Sequence, residues 1–224
     1  MKLVSLKNEK ISFRLLLVLI LGLLVVAPMI PDDGVLHIVM DLFLTGTYFV
    51  VIRMLSRNRL YAVLAGVSGS VMVLSMWIHV PYPSSALLII SRVGGVLFFM
   101  LAATTILRYI LEAKTVNREV LFAAMVAYLM IGTLFSFIYG CIHILDPASF
   151  DLPVEMTSQM WVFLYFSFVT LTTLGYGDVS PLTQMGGVVA IVEAIVGQLY
   201  LVVVVAWLVG MHVARRSAGN SDHK

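Results

Sequence analysis

Thr172-Thr173-Leu174-Gly175-Tyr176-Gly177-Asp178 stands between two long apolar segments toward the end of the chain. Two glycines alternate with larger residues, so the backbone is free to take opposite hands at successive positions. A Cβ at Gly175 or Gly177 is expected to clash there. Alternating hands turn successive main-chain carbonyls toward one side. The hydroxyl of Thr173 is available to extend such a row of oxygens.

Just before this run lies an aromatic, apolar stretch, residues 160–170, about half as long as a bilayer crossing requires. A helix this short can enter a membrane and return only if its end is buried in protein. Its C-terminal dipole end then points where a cation would pause.

Working outward, six apolar runs are long enough to cross about 30 Å of hydrocarbon. They cover residues 13–30, 35–55, 60–80, 86–111, 120–145 and 186–211. Pro31-Asp32-Asp33-Gly34, Ser56-Arg57-Asn58-Arg59, Pro81-Tyr82-Pro83 and residues 112–119 punctuate them. The expected fold is an all-α membrane protein of six transmembrane helices. A re-entrant pore helix and a filter loop sit between helices five and six. The domain reading is a cytoplasmic N-terminus (1–12), a four-helix domain (13–111), a cytoplasmic linker (112–119), a pore domain (120–211) and a cytoplasmic tail (212–224).

Composition agrees. Hydrophobic residues make up 61% of the chain and charged residues 12%, about half the charge of an ordinary soluble domain. A mean hydropathy of +1.03 leaves too little polar surface to cover a globule. With both termini in the cytoplasm, 13 of the 14 basic residues fall in the inner stretches or at the inner ends of spans, and Arg92 is the exception. Asp32, Asp33, Asp146, Asp151, Glu155 and Asp178 fall outside. This is a positive-inside pattern. The basic residues follow topology, so no nucleic-acid partner is expected. Residues 15–27 after a Lys-rich start also fit a signal peptide, but Pro28 after the cleavage position favours a retained helix. The single Cys141 excludes an internal disulfide and reads as a buried small hydrophobe.

At residues 172–178 the chain resembles the potassium channel superfamily, whose signature is TVGYG, here with Leu174 in the Val position. The resemblance covers residues 120–211. It implies a homotetramer in the cell membrane in which rings of carbonyl oxygens replace the water shell of K⁺. The ion would bind at Thr173, Leu174, Gly175 and Tyr176, with Gly177 completing the filter and Asp178 at the outer mouth. Tyr165 and Phe166 occupy the place of the family's paired tryptophans, and a Tyr165 hydrogen bond to Asp178 is one reading there. Val169 replaces a glutamate that some bacterial members carry. Gly197 matches the hinge glycine of the inner helix, with close packing the alternative. Gln198 would face the cavity, and Leu201 and Val205 would form an apolar constriction. K⁺ enters only as the permeating ion; no cofactor is expected.

Three ionisable residues within the membrane need partners. Glu193 is expected to face protein behind the filter, in either protonation state. Asp41 and Arg92 lie at similar depth and are expected to form an ion pair. Arg92 is the one cation in register along the fourth helix, where a voltage sensor would carry several, so weak or no voltage dependence is expected. His37, His79 and His143 sit near outer helix ends, as pH sensors or as packing residues. Rival readings are a poorly selective cation channel, a silent subunit, and an intramembrane aspartyl protease using Asp41 with the Asp178 of a GxGD motif. No HExxH, GxSxG or phosphate loop is present, and no enzymatic activity is expected.

Overall fold

Proline and polar breaks divide the chain into seven α-helices among the described residues. The computed structural model describes residues 9–29, 35–55, 59–113, 115–153 and 158–221, with side chains omitted at 9–12, 27 and 212–221. Helix α1 runs Glu9–Val26 and tightens into a 3-10 turn over Ala27–Met29. Pro28 lacks an N–H and its ring opposes the carbonyl four residues back, so the helix stops earlier than the apolar run does. Next come α2 Val35–Leu55, α3 Arg59–His79, α4 Ser85–Glu112 and α5 Arg118–Leu145. His79 closes the α3–α4 turn by accepting the Ser84 N–H at Nδ1, 3.0 Å. Asn117 caps α5 by accepting from Val120 N at 2.9 Å, satisfying an N–H the helix cannot.

After α5 come β1 Phe150–Asp151, α6 Gln159–Leu171, β2 Ser180–Pro181 and α7 Gln184–Ser221. Five described helices are long and apolar enough to cross a bilayer, namely α2 to α5 and the Gln184–Met211 part of α7. The described apolar part of α1, Phe13–Val26, is shorter, as is α6.

Small residues set the packing. In lipid, helices associate through close contact rather than through water exclusion. A Cβ on Gly94 would meet the Met72 amide at 2.9 Å and the Ser68 carbonyl at 3.0 Å, so α4 lies directly on α3. One residue on, a Cβ at Gly95 would enter the Phe137 ring of α5. Phe99 meets the same ring with centroids 5.4 Å apart. Helix α4 is therefore wedged between α3 and α5. On the other flank, α1 buries Phe13, Leu16, Ile20 and Leu23 on one face. Arg14 of α1 reaches Glu119 of α5 at 3.1 Å.

Several expectations need correction. Asp41 and Arg92 form no direct ion pair, in contrast to Arg14 and Glu119. Arg92 instead donates to the Met160 thioether and stacks over Phe137, 5.6 Å from its centroid. The residues share a depth, but α4 turns the guanidinium toward the pore helix. An Arg92→Asp, Asp41→Arg exchange is therefore not expected to rescue assembly, because Met160 and Phe137 hold a planar cation. Cys141 is only half-buried. Helix α7 continues through the expected tail as far as Ser221. A two-residue antiparallel ladder, Phe150 with Pro181 and Asp151 with Ser180, was not expected. Two residues carry no readable strand period. Among the topology markers, Lys2, Lys7, Asp32, Asp33, Arg57, Lys114, Glu155 and Lys224 lie outside the described residues.

Candidate functional site

Helix α6 starts at Ser158, whose hydroxyl accepts from Trp161 N at 3.5 Å. Its apolar residues are buried on nearly every side, among them Val162, Phe163, Leu164 and Phe166. At its C-terminus the last carbonyls are taken by the amides of the residues that follow. Thr173 N bonds to Thr170 O at 3.0 Å, while Leu174 N and Gly175 N reach Val169 O at 2.9 and 3.3 Å. The helix thus hands the chain directly into the run of residues 173–178.

There the backbone alternates. Among the described residues, positive φ occurs at Thr173 (59°), Gly175 (59°) and Gly177 (78°), and not at Leu174 or Tyr176 between them. Opposite hands at successive residues orient successive peptide dipoles to one side. The glycines are needed for this handedness and not for space, since nothing lies within 4 Å of a Cβ built at either one. Thr173 is β-branched and left-handed, a conformation that costs about 1–2 kcal/mol and is rare away from functional sites. Nothing in the local residue pattern marks it. Its hydroxyl bonds to Thr172 O at 2.6 Å.

The far end of this run is pinned. Tyr165 Oη donates to Asp178 Oδ2 at 2.6 Å, and Val179 N donates to Oδ1 of the same carboxylate at 3.1 Å. The β1–β2 ladder follows at once, and Leu182 N donates to Ser149 O at 2.8 Å. Phe166 packs on Tyr139 with centroids 4.8 Å apart, and Val169 is buried. An Asp41–Asp178 dyad finds no support here. Asp178 is engaged by Tyr165 and Val179, whereas Asp41 lines a cavity whose wall does not include Asp178.

Glu193 is fully buried and joins three helices. Tyr139 of α5 donates to Oε2, Ser167 Oγ of α6 stands 2.5 Å from Oε1, and Ser167 Oγ also stands 2.6 Å from the Gly132 carbonyl. These three contacts need three protons. Tyr139 and Ser167 supply one each, and a carbonyl supplies none. The third belongs to Glu193. With Oε1–H donating to Ser167, and Ser167 donating to Gly132, every contact is satisfied. Glu193 is a neutral carboxylic acid in this arrangement. Tyr139 and Ser167 went unnoticed in the sequence, although a hydroxyl within an apolar helix that also needs a protein-facing side is a usable signal.

At the inner end, a Cβ on Gly197 would lie 2.5 Å from Leu171 O and 2.9 Å from Leu171 Cδ1. Tyr128 donates to that same carbonyl at 3.1 Å. Gly197 sits mid-helix in an unbroken α7, so its position is explained by close packing. We expect Gly197→Ala to displace the foot of the filter and abolish conduction, although alanine favours helix by about 1 kcal/mol. Flux that survives in a correctly assembled variant would refute this. Tyr200 ties α7 to α5 by donating to Ala124 O at 2.6 Å. Gln198, Leu201 and Val205 are exposed on the same helix.

No curated protein and no solved structure matches the chain. Residues 116–213 match the family model described as an ion channel. That stretch spans α5, α6, the residues after it and the membrane part of α7, and together with the apolar helices it supports a multi-pass membrane protein with an ion-channel-like region.

Proposed function

We propose that four copies of the chain form a K⁺-selective channel, and the alternating backbone hands at Thr173, Gly175 and Gly177 are the observation that carries the reading. Four such turns about an axis present rings of carbonyl oxygens that exchange for the ion's water shell. Residues Thr173 to Tyr176 bind the ion, and Asp178 forms the outer ring. Exposed side chains support the tetramer. Leu174 and Tyr176 are 55% and 67% exposed in one chain, and α7 leaves Ile191, Ile195, Leu199 and Val202 uncovered. Neighbouring copies and lipid would cover them. Gln198 would face the cavity, with Leu201 and Val205 forming the constriction below it.

In this reading α1 is a sixth crossing and both termini are cytoplasmic. Voltage dependence is weak. One cation per subunit crossing the whole field supplies at most about 9 kcal/mol per tetramer per 100 mV, and Arg92 is clasped by Met160 and Phe137 rather than free to move. Vesicles loaded with K⁺ and containing the purified protein test the proposal. A K⁺ flux with a reversal potential that tracks the K⁺ gradient in mixed K⁺/Na⁺ is expected. A reversal potential near zero under opposed gradients would favour a poorly selective channel, and a steep conductance–voltage curve would overturn the voltage reading.

A further inference from the structure

A cavity of about 470 Å³ opens between α2, α3, α4 and the first turn of the pore helix. Its size falls within the range of small-molecule sites, about 300–1,000 Å³. Arg92 and Asp41 both line it without touching each other. Arg92 is only 7% exposed, and the hydrogen-bond partner described for it is the Met160 thioether, one of the weakest acceptors among side chains. A guanidinium has five donors and, once buried, needs oxyanion partners to offset its lost hydration. Among the described residues no oxygen acceptor stands within hydrogen-bond distance of the guanidinium. Gln159 and Met160 also bring the positive end of the 13-residue α6 to the same wall. Asp41 supplies the opposite charge in the same space.

We propose that this cavity binds a small zwitterion, its oxyanion on Arg92 and its ammonium on Asp41. Neither a lone anion nor a lone cation satisfies both walls. His79 adds a neutral donor, because its Nδ1 already accepts the Ser84 N–H and the ring proton therefore resides on Nε2. A free amino acid and a phosphoethanolamine lipid head group share the required chemistry. A ligand that takes up the guanidinium draws it from Met160, and so acts on the start of the pore helix. Binding does not require conduction and stands apart from the channel proposal.

Calorimetric titration of the purified full chain in a lipid-free sugar detergent tests it. Saturable binding of glycine would assign a free amino acid, and saturable binding of glycerophosphoethanolamine alone would assign the lipid head group. Acetate and methylammonium should bind far more weakly than either. Asp41→Asn, and Leu88→Trp, which fills the cavity and leaves both charges, should each weaken binding about tenfold or more. No saturable binding of either zwitterion, acetate binding as tight as glycine binding, or unchanged affinity in both variants would overturn the proposal.

Discussion

Gly177→Ala, purified and reconstituted, is expected to assemble and yet pass no K⁺. The residue sits at φ 78° with open space around its Cβ position. A methyl group there meets no neighbour within the chain. It meets its own backbone, at about 1–2 kcal/mol for each left-handed L residue. Around a fourfold ring that is about 4–8 kcal/mol, enough to turn the peptide over and take its carbonyl off the axis. Gly187→Ala is the matched control. Gly187 lies in α7 at an ordinary φ and also has nothing within 4 Å of its Cβ position. Alanine there should be neutral or stabilising by up to about 1 kcal/mol, with flux retained. Comparable loss in both variants would mean that handedness is not the determinant.

At Glu193 the expected results split by substitution. Glu193→Gln preserves a neutral donor and acceptor, so Tyr139, Ser167 and Gly132 keep their partners. Assembly and flux should stay near the unsubstituted protein, with stability changed by less than about 1 kcal/mol. Glu193→Ala strands the buried Tyr139 hydroxyl and leaves a void, and should cost about 2–4 kcal/mol per subunit. Thermal unfolding of the purified protein measures both. Infrared spectroscopy gives an independent reading, since a protonated-carboxyl band present in the parent should vanish in Glu193→Gln. If the glutamine variant is as damaged as the alanine one, the neutral acid is the wrong assignment.

The backbone of residues 173–177 and the apolar helices around it were legible because their signals are dense and local. A seven-residue run specifies backbone handedness, and the neighbouring apolar runs have lengths that lipid dictates. The pore helix came out one residue longer at each end than the sequence implied, at Gln159–Leu171. That Glu193 faces protein follows from the cost of its charge in lipid, but its protonation needed the three oxygen contacts around it. The Asp41–Arg92 pairing failed because depth along two helices fixes a level and not a direction. Rotation of α4 is set by Gly94 and Gly95 packing against α3 and α5, and that packing is a tertiary fact. Thr173 was missed for a related reason. A β-branched residue is a poor candidate for left-handed backbone on local grounds, and it is held there by amide bonds to the helix above.

The contact between Gly197 and the Leu171 carbonyl has a mechanical consequence. Hydrogen stands where a methyl group would otherwise act as a spacer, so α7 and the end of α6 bear on each other without any cushion. Tilting one necessarily strains the other, and leverage applied to the far end of α7 would be transmitted to the glycine-alternating run that follows Leu171.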